Sequence, residues 1–119
     1  MLNDRPHKSL KLWKKCMELV THLYEVTRAF PREEEFGLKS QLRRAGVSIP
    51  SNIAEGLTRQ TKKDKLHFLN ISQGSLSEID AQVEISFMLK FIDQQTYEAT
   101  NAKILDVQML LSGLIRSLK

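Results

Sequence analysis

The chain has 119 residues, of which 41% are hydrophobic and 27% are charged, and its formal net charge is +4. This balance excludes an intrinsically disordered chain, and five glycines with three prolines are too few for a turn-rich β-sandwich or barrel. A single cysteine, Cys16, excludes an internal disulfide, and the lack of an apolar run of about 20 residues excludes a membrane span. The amino-terminal stretch is charged and does not resemble a signal peptide, so we expect a cytoplasmic protein.

The positive charge is concentrated in the first half of the chain. Residues 1–65 carry a formal charge of +6, whereas residues 66–119 carry a charge of −2. This asymmetry favours a polyanionic or acidic partner, although a cationic surface also serves solubility.

Apolar residues at helical spacing predict a first helix over residues 8–29, ended by Pro31. Four of its seven heptad positions are mostly apolar, whereas a bundle helix needs about three. We therefore expect this helix to bury a second face, either inside the bundle or against another subunit. The predicted subunit-interface residues are Leu12, Leu19 and Val26.

A second helix is predicted over residues 33–57, with the acidic run Glu33–Glu35 in its first turn. Pro50 lies in its middle, and a proline inside a helix costs about 3 kcal/mol. The apolar register nevertheless continues through it, and the carbonyl that the proline ring would meet belongs to Gly46. We predict one helix kinked at Pro50. The alternative is two helices, the second capped by Ser51 or Asn52.

The third and fourth helices are predicted over residues 61–91 and 97–118, separated by a short polar break. Thr61 or Thr58 could cap the third helix, and Gly74 in its middle suggests that a neighbouring helix lies close there. No segment has a convincing strand pattern. The sequence thus predicts an all-α protein, a single domain over residues 1–119 folded as an up-down-up-down antiparallel four-helix bundle.

The residues capable of catalysis are scattered. The three histidines, His7, His22 and His67, lie in different regions without metal-ligand spacing, and Cys16 has no histidine nearby in sequence to activate it. Glu78 and Gln82, one turn apart, are interpreted as hydrogen-bonding residues between helices or towards a partner. No glycine-rich phosphate loop is present. Because none of these patterns provides a catalytic or metal-binding group, we expect no enzyme, cofactor, metal or small-molecule substrate.

The strongest functional signal is a basic stretch over residues 39–65. Its predicted phosphate-binding residues are Lys39, Arg43, Arg44, Arg59, Lys62 and Lys63. Neighbouring like charges repel, and a polyanion would compensate them. The alternative is a solvated face, or ion pairs with glutamates of a neighbouring subunit. Phe36 and Phe68, the aromatic residues nearby, are predicted to be core or interface residues, so base stacking is poorly supported.

The run from Gly37 to Gly56, GLKSQLRRAGVSIPSNIAEG, closely resembles the bacterial four helix bundle protein family, also called the 23S rRNA-intervening-sequence protein family. Further similarity lies upstream, around Trp13 and Phe30–Pro31, and downstream, around Gly74–Ser75 and Gln82. Gly46 stands where the family usually has alanine. The resemblance implies a cytoplasmic four-helix bundle that assembles into a ring, commonly a pentamer.

Some members of that family are encoded within intervening sequences of large-subunit ribosomal RNA genes. A related accessory protein of diversity-generating retroelements is a positively charged pentamer that contacts RNA and a reverse transcriptase, and no catalytic residue is established. Our leading hypothesis is therefore a non-enzymatic homo-oligomer that binds RNA through its basic surface. The alternative is a protein–protein scaffold or assembly module without a nucleic-acid function.

Overall fold

The computed structural model describes residue 7 and residues 10–119. Its helices are α1 (Lys11–Thr27), α2 (Leu38–Leu57), α3 (Lys62–Met88) and α4 (Gln94–Ser117), and a 3₁₀ turn, Arg32–Glu34, precedes α2. No strand occurs in this part of the chain, so the predicted all-α class is confirmed. The predicted start of the first helix, at residue 8, lies outside the described residues.

The four helices form a closed square. Each helix packs against the next one along the chain, and α4 packs back against α1. Between described residues, the diagonal pairs α1–α3 and α2–α4 make no close backbone contact. Because the connections are short, consecutive helices run antiparallel, which is the up-down-up-down bundle that the sequence predicts. The molecule measures 44 × 31 × 24 Å, and the seam between α2 and α3 is the most extensive.

One aliphatic stripe from each helix fills the core. Leu19 of α1, Ile49 of α2, Ile79 of α3 and Leu111 of α4 are all completely buried. Ile49, Ile79 and Leu111 belong to the 3–4 spaced series of their helices, so the periodicity of the sequence identifies the inward face of α2, α3 and α4. Burying one such side chain contributes about 1.5–3 kcal/mol, and these stripes therefore provide most of the stability.

The connection between α1 and α2 differs from the prediction. α1 ends at Thr27, and α2 begins at Leu38 instead of residue 33. Pro31 opens the 3₁₀ turn, and Gly37 adopts a non-helical conformation (φ −110°, ψ −118°) immediately before α2. The acidic run therefore precedes the helix. Glu34 still stabilises its start, because its Oε1 accepts a hydrogen bond from the Leu38 N–H at 2.9 Å.

Side-chain caps define the starts of α3 and α4. Thr61 Oγ1 accepts a hydrogen bond from the Asp64 N–H at 3.1 Å, which confirms the predicted cap of α3. Asp93 Oδ1 accepts from the Thr96 N–H at 2.8 Å, so α4 begins at Gln94. The polar stretch predicted as a break thus belongs mostly to the first turn of α4.

α2 is continuous through Pro50, so the two-helix alternative is wrong, while the kink stays a prediction. Serine hydrogen bonds tie α2 to α3 beside this proline. Ser72 Oγ donates to the carbonyl oxygen of Ile49 at 2.8 Å, and the hydroxyls of Ser48 and Ser75 lie 2.9 Å apart. These bonds anchor the helix at the place where the proline removes a backbone donor.

The close approach between helices lies at Gly56 and not at Gly74. A Cβ on Gly56 would lie 3.0 Å from Phe68 Cβ and 3.2 Å from the carbonyl oxygen of Lys65. A Cβ on Gly74 would meet no atom within 4 Å. The expectation for Gly74 is therefore wrong within the single chain, because this residue is on the exposed side of α3.

Candidate nucleic-acid interface

The first half of α2 and the loop before it border a surface groove of about 510 Å³. We call it the α2 groove, and its lining residues are Tyr24, Glu35, Phe36, Lys39, Ser40, Arg43, Arg44 and Val47. The sequence-predicted cations Lys39, Arg43 and Arg44 are brought together here, against one carboxylate. They lie together because positions 43 and 44 follow position 39 by four and five residues, about one turn of the same helix.

Arg43 is mostly engaged in holding α1. Its Nε donates to Thr27 Oγ1 at 2.9 Å, and its Nη2 donates to the carbonyl oxygen of Tyr24 at 3.1 Å. The guanidinium also lies over the Tyr24 ring, 4.3 Å from the centroid. The Tyr24 carbonyl is in the last turn of α1, where helix carbonyls lack intrahelical partners, so Arg43 caps α1 from α2.

The other two cations of the groove differ in their partners. Lys39 Nζ lies 3.0 Å from Glu35 Oε1, and only 18% of the lysine side chain is exposed. Arg44 is exposed, and no carboxylate of the described residues lies within 4.0 Å of it. Arg44 is thus the cation of the α2 groove whose charge is best placed to meet a ligand.

Phe36 is not a core residue. Its side chain is 93% exposed, at the tip of the loop between the 3₁₀ turn and α2. The expectation that it lies in the core is therefore wrong, while a place in an interface between subunits stays a prediction. Phe68 is half-buried, and its ring lies 4.7 Å from the Arg59 guanidinium.

The remaining predicted cations lie at the other end of α2. Arg59 bonds Glu55 Oε2 through Nη2 at 2.8 Å, whereas Lys62 and Lys63 are exposed and have no ion-pair partner among the described residues. At 1.5 Å per residue, α2 separates this group from Lys39 by about 30 Å. The six predicted residues therefore form two clusters rather than one patch.

The predicted subunit-interface residues lie largely inside the chain's own core. Leu12 is 4% exposed and Leu19 is completely buried, so the expectation for these two is wrong. Val26 is half-buried and packs against the core. The heptad pattern of α1 has neighbouring apolar lines, and the pattern alone does not tell which of them meets the bundle. The partly exposed line contains Trp13, Met17, Val20 and Tyr24.

The sequence profile of the 23S rRNA-intervening sequence proteins matches residues 8–113. The chain belongs to this family. A crystal structure of a protein of unknown function from the S23 ribosomal protein family, from Bacteroides thetaiotaomicron, has the same fold. Its TM-score is 0.80 and its sequence is 24% identical, and the match covers 88% of this chain and 95% of that one. No curated protein matches the chain.

The run that resembles the 23S rRNA-intervening sequence family forms α2 almost entirely. Gly46, in the middle of this run, lies against α1. A Cβ at this position would be 3.1 Å from Leu23 Cδ1 and 3.9 Å from Val20 Cγ2. The family run therefore contains the part of the α2 groove lining that α2 contributes, together with the tight α1–α2 contact.

The other residues considered for catalysis, Cys16 and Gln82, are a buried side chain and a hydrogen-bonding side chain between helices. Burial raises the pKa of the Cys16 thiol to about 12, so it stays protonated and unreactive at neutral pH. Gln82 Nε2 donates to Gln41 Oε1 at 3.1 Å, across α2 and α3.

Groups of three or more His, Cys, Asp or Glu that could hold a metal ion do not occur among the residues that the structure describes. In the same part of the chain, no helix combines the length and hydropathy that crossing a bilayer requires.

His22 connects α1 to α4. Its Nε2 lies 2.7 Å from Thr100 Oγ1, and that hydroxyl donates to the Thr96 carbonyl oxygen at 2.7 Å. The threonine has one hydrogen to give, so His22 Nε2–H donates to it. Burial first, and then Lys103, lower the pKa of His22, which favours the neutral ring in the folded protein.

Sequence reasoning missed the exposed aromatic residue of the α2 groove. The available signal was local: Phe36 stands between an acidic run and Gly37, outside the 3–4 series of either neighbouring helix. Starting the second helix at residue 33 hid this signal, because it assigned Phe36 to a helix.

Proposed function

We propose that this protein is a non-enzymatic, self-assembling helical bundle of the bacterial cytoplasm that binds RNA. The contacts are cations of the α2 groove and of the α2–α3 turn, acting on phosphates without reading bases. The observation that carries the proposal is the exposed Arg44 beside Lys39 and Arg43, with no acidic partner among the described residues. Membership of a family named for a ribosomal RNA intervening sequence supports RNA as the polyanion.

The cations of the two clusters differ in how available their charges are to RNA. Arg44 in the first half of α2, and Lys62 with Lys63 at the start of α3, are exposed and best placed to meet phosphates. Arg43, Lys39 and Arg59 are partly neutralised or held by neighbouring groups. Because Arg44 lies 13 residues before the last residue of α2, an RNA that contacts both clusters spans about 20 Å along this helix.

Self-assembly is a separate part of the proposal. Outside the α2 groove, six large apolar side chains are exposed on α3, directly after it, or on α4: Ile71, Ile85, Met88, Leu89, Leu105 and Met109. Exposed apolar side chains in such number favour contacts with further subunits. The family resemblance suggests a pentamer.

The test is RNA binding by the purified protein at about 150 mM salt, where weak nonspecific complexes largely dissociate. We expect a stable complex, and we expect the triple variant Arg44→Gln, Lys62→Gln, Lys63→Gln to lose it. Lys103→Gln removes one charge from α4, which makes no close backbone contact with α2, and should bind nearly as the wild type does. Light scattering on the same samples measures the assembly.

Failure of the wild type to bind any RNA at that salt would overturn the nucleic-acid part of the proposal and leave the scaffold hypothesis. A mass of 13.7 kDa at micromolar concentration would overturn self-assembly.

A further inference from the structure

We propose that the α2 groove binds a single-stranded segment of nucleic acid, with one base stacked on Phe36 and a neighbouring phosphate on Arg44. The inference rests on the proposed RNA binding and specifies the class of RNA. It concerns a residue that phosphate binding alone does not need.

The exposed side chain of Phe36 is attached to a loop that hydrogen bonds hold in place. Its side chain is 93% exposed, so both faces of the apolar ring are in contact with water and available to a partner. Hydrogen bonds on its carboxyl-terminal side hold the loop: the Gly37 N–H donates to the Glu34 carbonyl oxygen at 3.0 Å, and the Leu38 N–H donates to Glu34 Oε1 at 2.9 Å. The backbone beside the ring is therefore fixed before a ligand arrives, which reduces the entropy lost on binding.

The faces of the two aromatic rings in the groove are not equivalent. The Tyr24 ring is covered by the Arg43 guanidinium, 4.3 Å from its centroid, so that face is already stacked. The Phe36 ring, by contrast, is almost entirely accessible. A flat, apolar partner that enters the groove therefore stacks on Phe36.

The charges beside Phe36 favour an anionic partner. The groove holds Lys39, Arg43 and Arg44 against Glu35, a formal excess of two positive charges. Because Arg43 is held by α1 and Lys39 by Glu35, Arg44 is the side chain that meets the phosphate. An apolar ring beside an uncompensated guanidinium is the combination that binds a base and its phosphate together.

A single strand fits this combination better than a duplex does. Bases in a duplex are stacked on one another and paired, so their faces are not available to a side chain. Bases of a single strand can turn outward and stack on an aromatic ring without regard to sequence. The α2 groove lies open on the surface beside the start of α2, where a flexible strand has access.

The experiment measures binding of fluorescein-labelled oligouridylate RNA and of an RNA duplex of the same length, with light scattering on the same samples. We expect wild type to prefer the single strand. Phe36→Ala and Phe36→Leu should both weaken its binding by about 5- to 150-fold, the range of one lost base–aromatic stack. Phe36→Trp should bind the single strand as the wild type does, because stacking needs a π face and not merely an apolar group. Gln95→Ala, an exposed truncation in the first turn of α4 and outside both the α2 groove and the proposed subunit interface, is the control and should have no effect.

Each other outcome has a defined meaning. If wild type binds neither RNA, both the proposed function and this inference fail. If wild type binds oligouridylate and the Phe36 variants bind it equally well, or if the duplex binds equally well, the inference is wrong while phosphate-based RNA binding stands. If the Phe36 variants change the mass of the assembly but not the RNA affinity, the groove is an interface between copies of the chain and the inference is overturned.

Discussion

Arg43 and Thr27 form a hydrogen bond that joins α2 to the last turn of α1, with 2.9 Å between Nε and Oγ1. Thr27 is completely buried and passes its own hydrogen to the Leu23 carbonyl oxygen at 2.7 Å. The bond gives a cation of the predicted phosphate-binding set a structural task. Arg43 therefore serves the fold first, and Arg44, its neighbour in sequence, is the better probe of RNA binding.

A double-mutant cycle measures this bond. Arg43→Ala and Thr27→Val should each lower the free energy of unfolding by about 1–3 kcal/mol, because each leaves hydrogen-bonding groups without a partner. The double variant should lose less than the sum, with a coupling of about 1 kcal/mol. Urea denaturation of the four proteins gives these values, and strictly additive losses would contradict the assigned bond.

Two alanine substitutions in glycine positions should have opposite effects. Gly56→Ala forces a methyl group to within 3.0 Å of Phe68 Cβ and 3.2 Å of a backbone oxygen, so we expect a loss of about 1–3 kcal/mol in stability. Gly74→Ala meets no atom within 4 Å and gains helix propensity of about 1 kcal/mol. Thermal denaturation separates the two. A loss of stability for Gly74→Ala, together with a smaller assembly, would place Gly74 at a subunit interface.

Lys90 ends α3 in a left-handed conformation, with φ 66°. The Phe91 N–H donates to the Ser86 carbonyl oxygen, and the Lys90 N–H donates to that of Phe87, which is the hydrogen-bond pattern of a Schellman cap. Glycine adopts this conformation without steric cost, so Lys90→Gly should stabilise the protein by about 0.5–1 kcal/mol. Leu89→Gly is the matched control, because Leu89 is in the right-handed region and its replacement should destabilise. Equal losses from both glycines, measured by urea denaturation, would contradict this account.

Stability should decrease in mild acid through His22. The pKa of His22 in the folded protein lies below the ordinary value of 6.5, because burial and Lys103 disfavour the imidazolium. Below about pH 6.5 the unfolded chain takes up a proton that the folded chain resists, so the free energy of unfolding falls as the pH drops. His22→Gln keeps an amide donor for Thr100 and should flatten this part of the profile. Parallel profiles for the wild type and the variant, from urea denaturation across pH 5–8, would show that His22 does not contribute.

The helices could be predicted from the sequence because their apolar residues repeat at a helical period. Ile49, Ile79 and Leu111 all lie in predicted stripes and are all buried. Pro50 did not interrupt the second helix, because the apolar register on either side of it is unbroken and serines of α3 bond the chain beside it. The family resemblance also rests on this helix.

The predictions from sequence fail for residues whose environment depends on contacts between helices. Leu12 and Leu19 were assigned to a subunit interface, since several apolar lines of α1 compete and only packing selects the inward one. The capping of α1 by Arg43 could not be predicted, because it joins residues on different helices. The basic residues are divided into two clusters because the length of α2 separates them, although they lie within one stretch of the sequence.

The most direct test of RNA binding through the α2 groove is the salt dependence of the dissociation constant for single-stranded RNA. We expect the logarithm of the affinity of the wild type to fall linearly with the logarithm of the salt concentration. Arg44→Gln should weaken binding and reduce the magnitude of that slope by about 0.7, the value for one phosphate contact on a single strand, whereas Lys103→Gln should leave the slope unchanged. Equal slopes and equal affinities for the wild type and Arg44→Gln would contradict the assignment of the α2 groove as an RNA-binding surface.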